Sequence, residues 1–153
     1  FLASLEASKK FGFPTYQSFQ PEYNLCIRDK FEREIEPICL EHQVGVISYY
    51  SLASGFLTGK YRSESDLNQS ARGGAVKKFM NDRGFAILNA LDKIANELNT
   101  TQASVALAWL MARPSITAPI ASATNLEQLQ SLMKAVQIKL DSESTKLLNE
   151  ASA

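Results

Sequence analysis

Histidine is almost missing from this chain. Among 153 residues the single imidazole is His42, and one histidine cannot build a multi-histidine metal site. No nucleophile motif or acid stands beside it, so a Ser-His-acid triad has no support. His42 falls near the end of an expected helix, where a cation complements the dipole, and is read as a surface residue. Cysteine is nearly as scarce. Cys26 and Cys39 make neither a disulfide framework nor a metal-ligand spacing, and a reducing, cytoplasmic setting is the default expectation. Excess charge of either sign is lacking: 16 Lys and Arg balance 16 Asp and Glu. That excludes the electrostatic footprint of a nucleic-acid binder or a membrane-surface protein. No apolar run approaches the roughly 20 residues of a membrane-spanning helix, and no secretory signal pattern is present. Glycine-rich phosphate motifs are missing too: there is no GxGxxG, and ARGGAVKK (71–78) is not a Walker sequence. An initiator methionine is also lacking. Phe1 to Lys10 reads as an amphipathic helix already under way, with no capping residue ahead of it, so the expectation is a chain whose start lies further upstream.

What is present is ordinary for a globular protein. Hydrophobic residues make up 45% and charged residues 21%, and the length suits one domain able to bury a core. After the first helix, ended by Gly12 and Pro14, Thr15 to Gln20 alternates aromatic and polar residues as a strand does. Pro21 breaks it. Asp29 to His42 is expected to be a helix distorted by Pro37, with Glu32, Glu34, Glu36 and Glu41 on a solvated face. Val44 to Tyr49 has the continuous apolar character of a strand buried on both faces. Leu57 to Asn81 reads as a long irregular loop, and such loops are usually functional or mobile. Helices follow over Gly84 to Asn99 and from Thr101 or Gln102 to just before Pro114. Ile116 to Ala121 is the third strand. A helix capped by Thr124 or Asn125 runs to about Val136 with Leu126, Leu129, Leu132 and Met133 inward, and a last one spans Asp141 to Ala151. Strands alternating with helices imply parallel βα units in an α/β fold. No repeat or linker marks a domain boundary.

The chain is organised around VGVISYYSLASGFLTGKYR, Val44 to Arg62. A buried strand opens here into small and hydroxyl residues, Ser51 to Gly55, and then a basic pair, Lys60 and Arg62. The carboxyl end of such a strand faces the binding surface of an α/β protein. The third strand ends in Ser122, Ala123 and Thr124 ahead of a helix. Free amides and the positive dipole end make that a ready phosphate site, although by themselves Ser122 and Thr124 read as helix caps. Taken with SYYSLASG after the preceding strand, they suggest a nucleotide site shared by two consecutive βα loops. Arg72 beside Gly73 and Gly74 could bring a guanidinium and backbone amides to a phosphate, but the segment reads first as a flexible basic loop.

SFQPEYNL, GVISYYSLASGFLTGKYR, SARGG and TAPIASATNLEQL, in this order and spacing, resemble the carboxyl-terminal half of the aldo-keto reductases. The nearest branch is the one that includes the β subunits of voltage-gated potassium channels. The resemblance covers nearly the whole chain. It implies a TIM-like (β/α)8 barrel of which residues 1–153 hold only about the last three βα units, since a full barrel runs to about 250 residues. It implies NADP(H) as cofactor and small-molecule aldehydes or ketones as substrates.

Residue by residue, the resemblance gives Gln20 to the nicotinamide amide and Tyr49 to stacking on the nicotinamide ring. Ser51, Leu52, Ala53, Ser54 and Gly55 match the loop that lines the pyrophosphate, and Lys60 and Arg72 match basic residues approaching the phosphates. Ser122, Thr124 and Gln128 match positions around the 2′-phosphate and adenine. The chain departs from the family pattern at Tyr50-Ser51, where Ser-Pro is usual, at Ser122, where glycine is common, and at Ser131 and Leu132, where Glu and Asn often hold the adenine amine. The family's catalytic Asp, Tyr, Lys and His, and its carboxamide-binding Ser-Asn pair, fall outside this sequence. No catalytic residue and no metal site is therefore assigned here.

Three expectations follow from this resemblance. The complete parent protein is an NADPH-dependent reductase for which this chain supplies the cofactor cradle; or it is a redox-sensing subunit resembling a channel β subunit; or the chain by itself is an inactive half-barrel. In the last case it would be stable only by self-association or beside a missing amino-terminal half.

Overall fold

The computed structural model describes residues 1–69 and 73–153. Its centre is a parallel sheet of three strands in the order β1 (Ser18–Phe19), β2 (Gly45–Ser48), β3 (Ile116–Pro119). The strands are shorter than the sequence pattern predicts, and at the carboxyl ends of β1 and β3 proline is the reason. Pro21 has no N–H to continue the β1 ladder; pairing resumes beyond it, where Tyr49 N donates to Pro21 O at 2.9 Å and Glu22 bridges Tyr49. Pro119 closes β3 in the same way, after which Ile120 N donates to Ser48 O at 2.8 Å.

β1 pairs with β2 through Ser18↔Gly45 and Phe19↔Val46. β2 pairs with β3 through Val46↔Ile116, Ile47↔Ala118 and Ser48↔Pro119, so Thr117 is the extra residue of a bulge. A Cβ at Gly45 would stand 2.6 Å from Thr117 Oγ1, which explains the absence of a side chain at that position. Only one face of the sheet is fully covered. Val46 and Ser48 are buried, whereas Gly45 and Ile47 are half-buried and Thr117 and Ala118 exposed. The expectation of a strand buried on both faces is therefore corrected: the apolar run of β2 meets helices on one side only.

The helices are set by local signals. α1 (Leu2–Phe11) ends at Gly12, which caps it in the left-handed conformation at φ 68°. The predicted apolar stripe of α1 is only partly used: Leu5 is buried, while Leu2 and Phe11 are exposed. The expected helix over 29–42 divides in two. Phe31–Ile35 forms a wider π turn, with Glu36 N–H reaching Phe31 O, before α2 (Glu36–Glu41) begins. Pro37 lacks an N–H and its ring crowds the carbonyl four residues back, and the wider turn makes room for it.

The supposed loop from Leu57 to Asn81 is largely short helical turns: 3-10 segments at Ala53–Thr58 and Glu64–Gln69, α3 (Gly73–Val76) and a 3-10 turn at Lys77–Phe79. Phe56, Leu57, Tyr61, Val76 and Phe79 anchor it in the core. Each turn is too short to leave a helical period in the sequence.

α4 (Asp82–Glu97) is capped by Asn81, whose side chain accepts from Gly84 N. α5 (Gln102–Met111) is capped by Thr101 and is buried from Gln102 to Leu110, lying between α4 and α6 (Leu126–Ala135). α6 is capped by Asn125 and α7 (Ser142–Ala151) by Asp141. The inward stripe predicted for α6 is overturned at three of its four residues. Leu126 is 68% and Met133 60% exposed and Leu129 is exposed, whereas Leu132 is half-buried and packs against the core as expected. α6 instead packs on α5 through small hydroxyl residues: Ser104 Oγ donates to Ser131 O at 2.7 Å, and Thr101 Oγ1 and Ser131 Oγ lie 2.5 Å apart. These contacts leave Leu126, Leu129 and Met133 on the outer side.

The predicted solvated acidic face is corrected as well. Glu36 is buried; its carboxylate accepts from Ser115 Oγ at 2.7 Å and from Arg113 Nη2 at 3.2 Å. Glu32 accepts from Tyr23 Oη at 2.6 Å and from Arg28 Nε at 2.8 Å. Burial by itself would raise the Glu32 pKa, but the Arg28 and Tyr23 hydrogen bonds outweigh it and hold the carboxyl below its usual range. Burial, and then the bond to Glu32, push the Tyr23 hydroxyl the other way, upward. Both guanidiniums flank the buried Trp109 ring, Arg28 at 5.2 Å and Arg113 at 5.6 Å from its centroid. Glu34 and Glu41 are exposed as expected.

Among the described residues no helix is long and apolar enough to cross a membrane, and no group of three or more His, Cys, Asp or Glu is placed to hold a metal ion. Both cysteines are free and buried.

Candidate functional site

The carboxyl ends of the parallel strands carry the candidate residues, and the chain leaving β2 builds the densest run of positive φ values among the described residues. Tyr50, Ala53 and Ser54 take positive φ values of 51°, 49° and 58°, and Gly55 one of 98°. For residues with a side chain this conformation costs of order 1–3 kcal/mol each and persists only where neighbours impose it. Here they do. The Tyr50 carbonyl accepts from Ala53 N at 2.7 Å and from Asn24 Nδ2 at 3.0 Å. Leu52 O accepts from Gly55 N at 2.8 Å and from Leu57 N at 3.2 Å. Ser51 Oγ donates to Ser48 O at 3.2 Å and lies 3.3 Å from Ser48 Oγ.

The sequence-predicted residues are unequally presented. Gln20 is exposed directly after β1. Tyr49 is 37% exposed at the end of β2, its ring 5.2 Å from that of Tyr50 in an edge-on arrangement. Ser54 and Gly55 are half-buried, as is Leu52. Ser51 and Ala53 are buried, and the Ser51 hydroxyl is engaged inside the turn, so its side chain is part of the loop's framework. Lys60 is exposed and folds back toward the loop: a Cβ at Gly55 would lie 3.7 Å from Lys60 Cε. Its Nζ is 5.0 Å from the centroid of the Tyr61 ring. Arg72 lies outside the described residues. Of its neighbours, Gly73 is pressed against the Leu67 carbonyl with no room for a Cβ, while Gly74 has open space around it.

After β3, Ser122 and Thr124 are exposed. The Gln128 amide oxygen accepts from Thr124 N at 2.9 Å and Thr124 Oγ1 at 3.0 Å, while Gln128 N donates to Asn125 Oδ1 at 2.9 Å. This reciprocal arrangement resembles a capping box, so Thr124 and Gln128 are brought together, and Gln128 serves as a cap. Ser131 is drawn into the packing with α5.

Two elements that support the site escaped sequence reasoning. Asn24 is fully buried and joins the chain after β1 to the turn after β2. Its signal was an asparagine in a turn-forming PEYNL segment, since Asn side chains bond their own backbone two residues on. The second is a brace below the loop. Arg62 Nε donates to Gly59 O at 2.9 Å and Arg62 Nη2 pairs with Asp92 at 2.6 Å. Asp92 also accepts from the buried Gln102 amide. These partners lie 30 and 10 residues apart in sequence, and no local pattern announces them.

The model of the Aldo/keto reductase family matches residues 3–153. A probable voltage-gated potassium channel subunit beta from Arabidopsis thaliana is 36% identical over 124 residues, 78% of this chain and 38% of that protein. An uncharacterized oxidoreductase, YrpG, from Bacillus subtilis is 34% identical over 149 residues, 97% of this chain and 44% of that protein. Among solved structures, a thermostable aldo-keto reductase in complex with the inhibitor epalrestat superposes with a TM-score of 0.68 at 26% identity, over 95% of this chain and 43% of that one. The chain thus spans 38–44% of the length of these relatives. Its strand–loop framework, its sequence and its superposition agree, and the chain belongs to the aldo/keto reductase family.

Proposed function

We propose that residues 1–153 are the carboxyl-terminal, cofactor-holding part of a (β/α)8 barrel, about its last three βα units, and that the complete protein reduces aldehydes or ketones with NADPH. The observation that carries this reading is the turn after β2: a left-handed run, Ala53–Gly55, has the Lys60 side chain over Gly55 and follows the partly exposed ring of Tyr49 at the strand end. The Lys60 ammonium, lying over Gly55, supplies charge-assisted hydrogen bonds to phosphate oxygens. Tyr49 offers a flat apolar surface to a nicotinamide ring, with Gln20 at the neighbouring strand end for its amide. Ser122, Thr124 and Gln128 stand at the far loop for the 2′-phosphate and adenine, and Arg72 completes the basic side. When bound, the dinucleotide supplies the hydride; the residues of this chain bind and orient it. Tyr49, Tyr50, Lys60 and His42 are not assigned acid–base roles. A reducing, cytoplasmic setting is part of the same reading and is supported by the two free, buried cysteines.

The test is titration of the full chain with NADPH and with NADH, followed by nicotinamide fluorescence. Saturable binding, tighter for NADPH, is expected, and failure of both dinucleotides to bind overturns the proposal. The 153-residue chain alone is expected to reduce no aldehyde; measurable NADPH-dependent turnover by it would refute that part.

A second reading is a redox-sensing NADP(H)-binding subunit with slow or no turnover. It is favoured by the similarity to a relative described as a probable channel subunit beta. Robust aldehyde turnover by the complete protein, without any membrane partner in a pull-down, decides against it.

A further inference from the structure

Asn24 belongs to neither the candidate cofactor contacts nor the hydrophobic core, yet it is fully buried and its hydrogen bonds account for both ends of its amide. Oδ1 accepts from Cys26 N at 2.9 Å and Ile27 N at 3.1 Å. Nδ2 donates to Tyr50 O at 3.0 Å, across 26 residues of sequence. The first pair closes the tight turn 24–27, which the backbone also closes through Ile27 N to Asn24 O at 3.0 Å. The second bond crosses to the one point where the chain leaves β2, and there it holds the carbonyl of a tyrosine in the left-handed conformation. A tyrosine does not adopt φ 51° unaided. Two donors, Asn24 Nδ2 and Ala53 N, converge on that carbonyl, and the preceding residue is pinned by Tyr49 N to Pro21 O.

We infer that Asn24 is a positioning residue for the nicotinamide end of the site. Its side-chain amide fixes the Tyr50 peptide, and through it the direction of the Tyr49 ring relative to Gln20, without touching the cofactor. The inference rests on the NADPH reading above. Its physical content is that one buried amide ties two strand-end loops together, so that the stacking ring and the amide-binding glutamine keep a fixed separation. The distant loop around Ser122 and Gln128 shares none of these bonds.

That separation of the two ends gives the test. Asn24→Asp keeps the shape and the oxygen that accepts both turn hydrogen bonds but sets its other carboxylate oxygen against the Tyr50 carbonyl. Asn24→Ser keeps an acceptor for the local turn and is too short to reach Tyr50, and it stands in should the aspartate variant not fold. Affinities of the full chain for NADPH and for adenosine 2′-phosphate, which lacks both nicotinamide and pyrophosphate and so engages only the distant loop, are measured side by side, with far-UV circular dichroism as the check on folding. Loss of one positioning hydrogen bond is expected to weaken NADPH binding about tenfold, to reduce the change in nicotinamide fluorescence on binding, and to leave the affinity for adenosine 2′-phosphate unchanged. Equal weakening of both ligands, or of neither, in a folded variant overturns the positioning role while leaving the NADPH site intact. Failure of the unmutated chain to bind NADPH overturns the site reading itself, and this inference with it.

Discussion

Lys60 lies folded back over Gly55, so that a Cβ on the glycine would meet Lys60 Cε at 3.7 Å and Nζ at 4.0 Å. The space is adequate for a methyl group; the backbone is not, because φ is 98° there. Gly55→Ala is therefore expected to cost about 1–2 kcal/mol through strain in the left-handed region. It should also weaken NADPH binding, because relief of that strain moves the loop assigned to the pyrophosphate. Urea unfolding reads the first effect and fluorescence titration the second. An alanine variant as stable as the parent would mean that the turn relaxes out of this conformation.

Tyr49 and Gly55 flank one loop but should respond differently. The Tyr49 ring is partly exposed and packs edge-on against Tyr50, so Tyr49→Ala is expected to change stability by no more than about 0.5 kcal/mol. If the ring stacks on nicotinamide, its loss removes roughly 1 kcal/mol of aromatic contact. NADPH affinity should fall severalfold, while Tyr49→Phe binds almost normally. Equal binding by the alanine variant would remove Tyr49 from the site.

The network behind the sheet makes a prediction of opposite character. Glu36 is buried between Ser115 Oγ and Arg113, so truncating it leaves Arg113 short of one partner. Glu36→Ala is expected to destabilise the fold by on the order of 3 kcal/mol. Glu36→Gln should cost less because its amide oxygen can still accept from Ser115. Equilibrium denaturation of the two variants checks both the size and the order of the effect.

Much of the fold could be read from sequence because its determinants are local. Gly12 at the end of α1, a helix start at Thr101 or Gln102 and another at Thr124 or Asn125, Pro114 past the end of α5 and the three strands in order all depend on a few neighbouring residues, and the structure settles the two caps as Thr101 and Asn125. Features set by distant partners could not be read. Glu36 looked solvated because its partner Ser115 is 79 residues away. Leu126, Leu129 and Met133 of α6 looked inward with Leu132 because their spacing is helical, but spacing does not say which face meets α5; Thr101, Ser104 and Ser131 decide that, and only Leu132 of the four turns toward the core. At the candidate site the residue types were legible and their presentation was not. Ser51 and Ala53 are buried in the turn while Ser54 and Lys60 are more open, a distinction created by the positive-φ run.

Acid should act on the same network through Glu32. Its folded-state pKa is depressed by Arg28 and Tyr23 against the opposing effect of burial, so the unfolded chain binds this proton more tightly than the folded one. The resulting stability is fully present above the unfolded value of about 4.3 and is lost as pH falls from there through the folded value. Urea midpoints measured between neutrality and acid should therefore fall most steeply below that point. Glu32→Gln should flatten this part of the profile, and an unchanged slope would show that Glu32 does not titrate with folding.

Self-association of the isolated chain is the last expected outcome. β1 and β3 are the outer strands of the sheet, each paired on one side only among the described residues, and such edges are templates for further pairing. α6 adds an outward apolar stripe in Leu126, Leu129, Met133 and Val136, all exposed. At helical spacing these four lie along one face. Sedimentation velocity over a range of concentrations should show association of the 153-residue chain. Leu126→Lys combined with Met133→Glu should reduce it if the α6 face takes part, with little change in stability, because both side chains are already in water. Association that persists unchanged in this variant would assign it to the strand edges, and a monomer at every concentration would show that neither surface is sticky enough to pair.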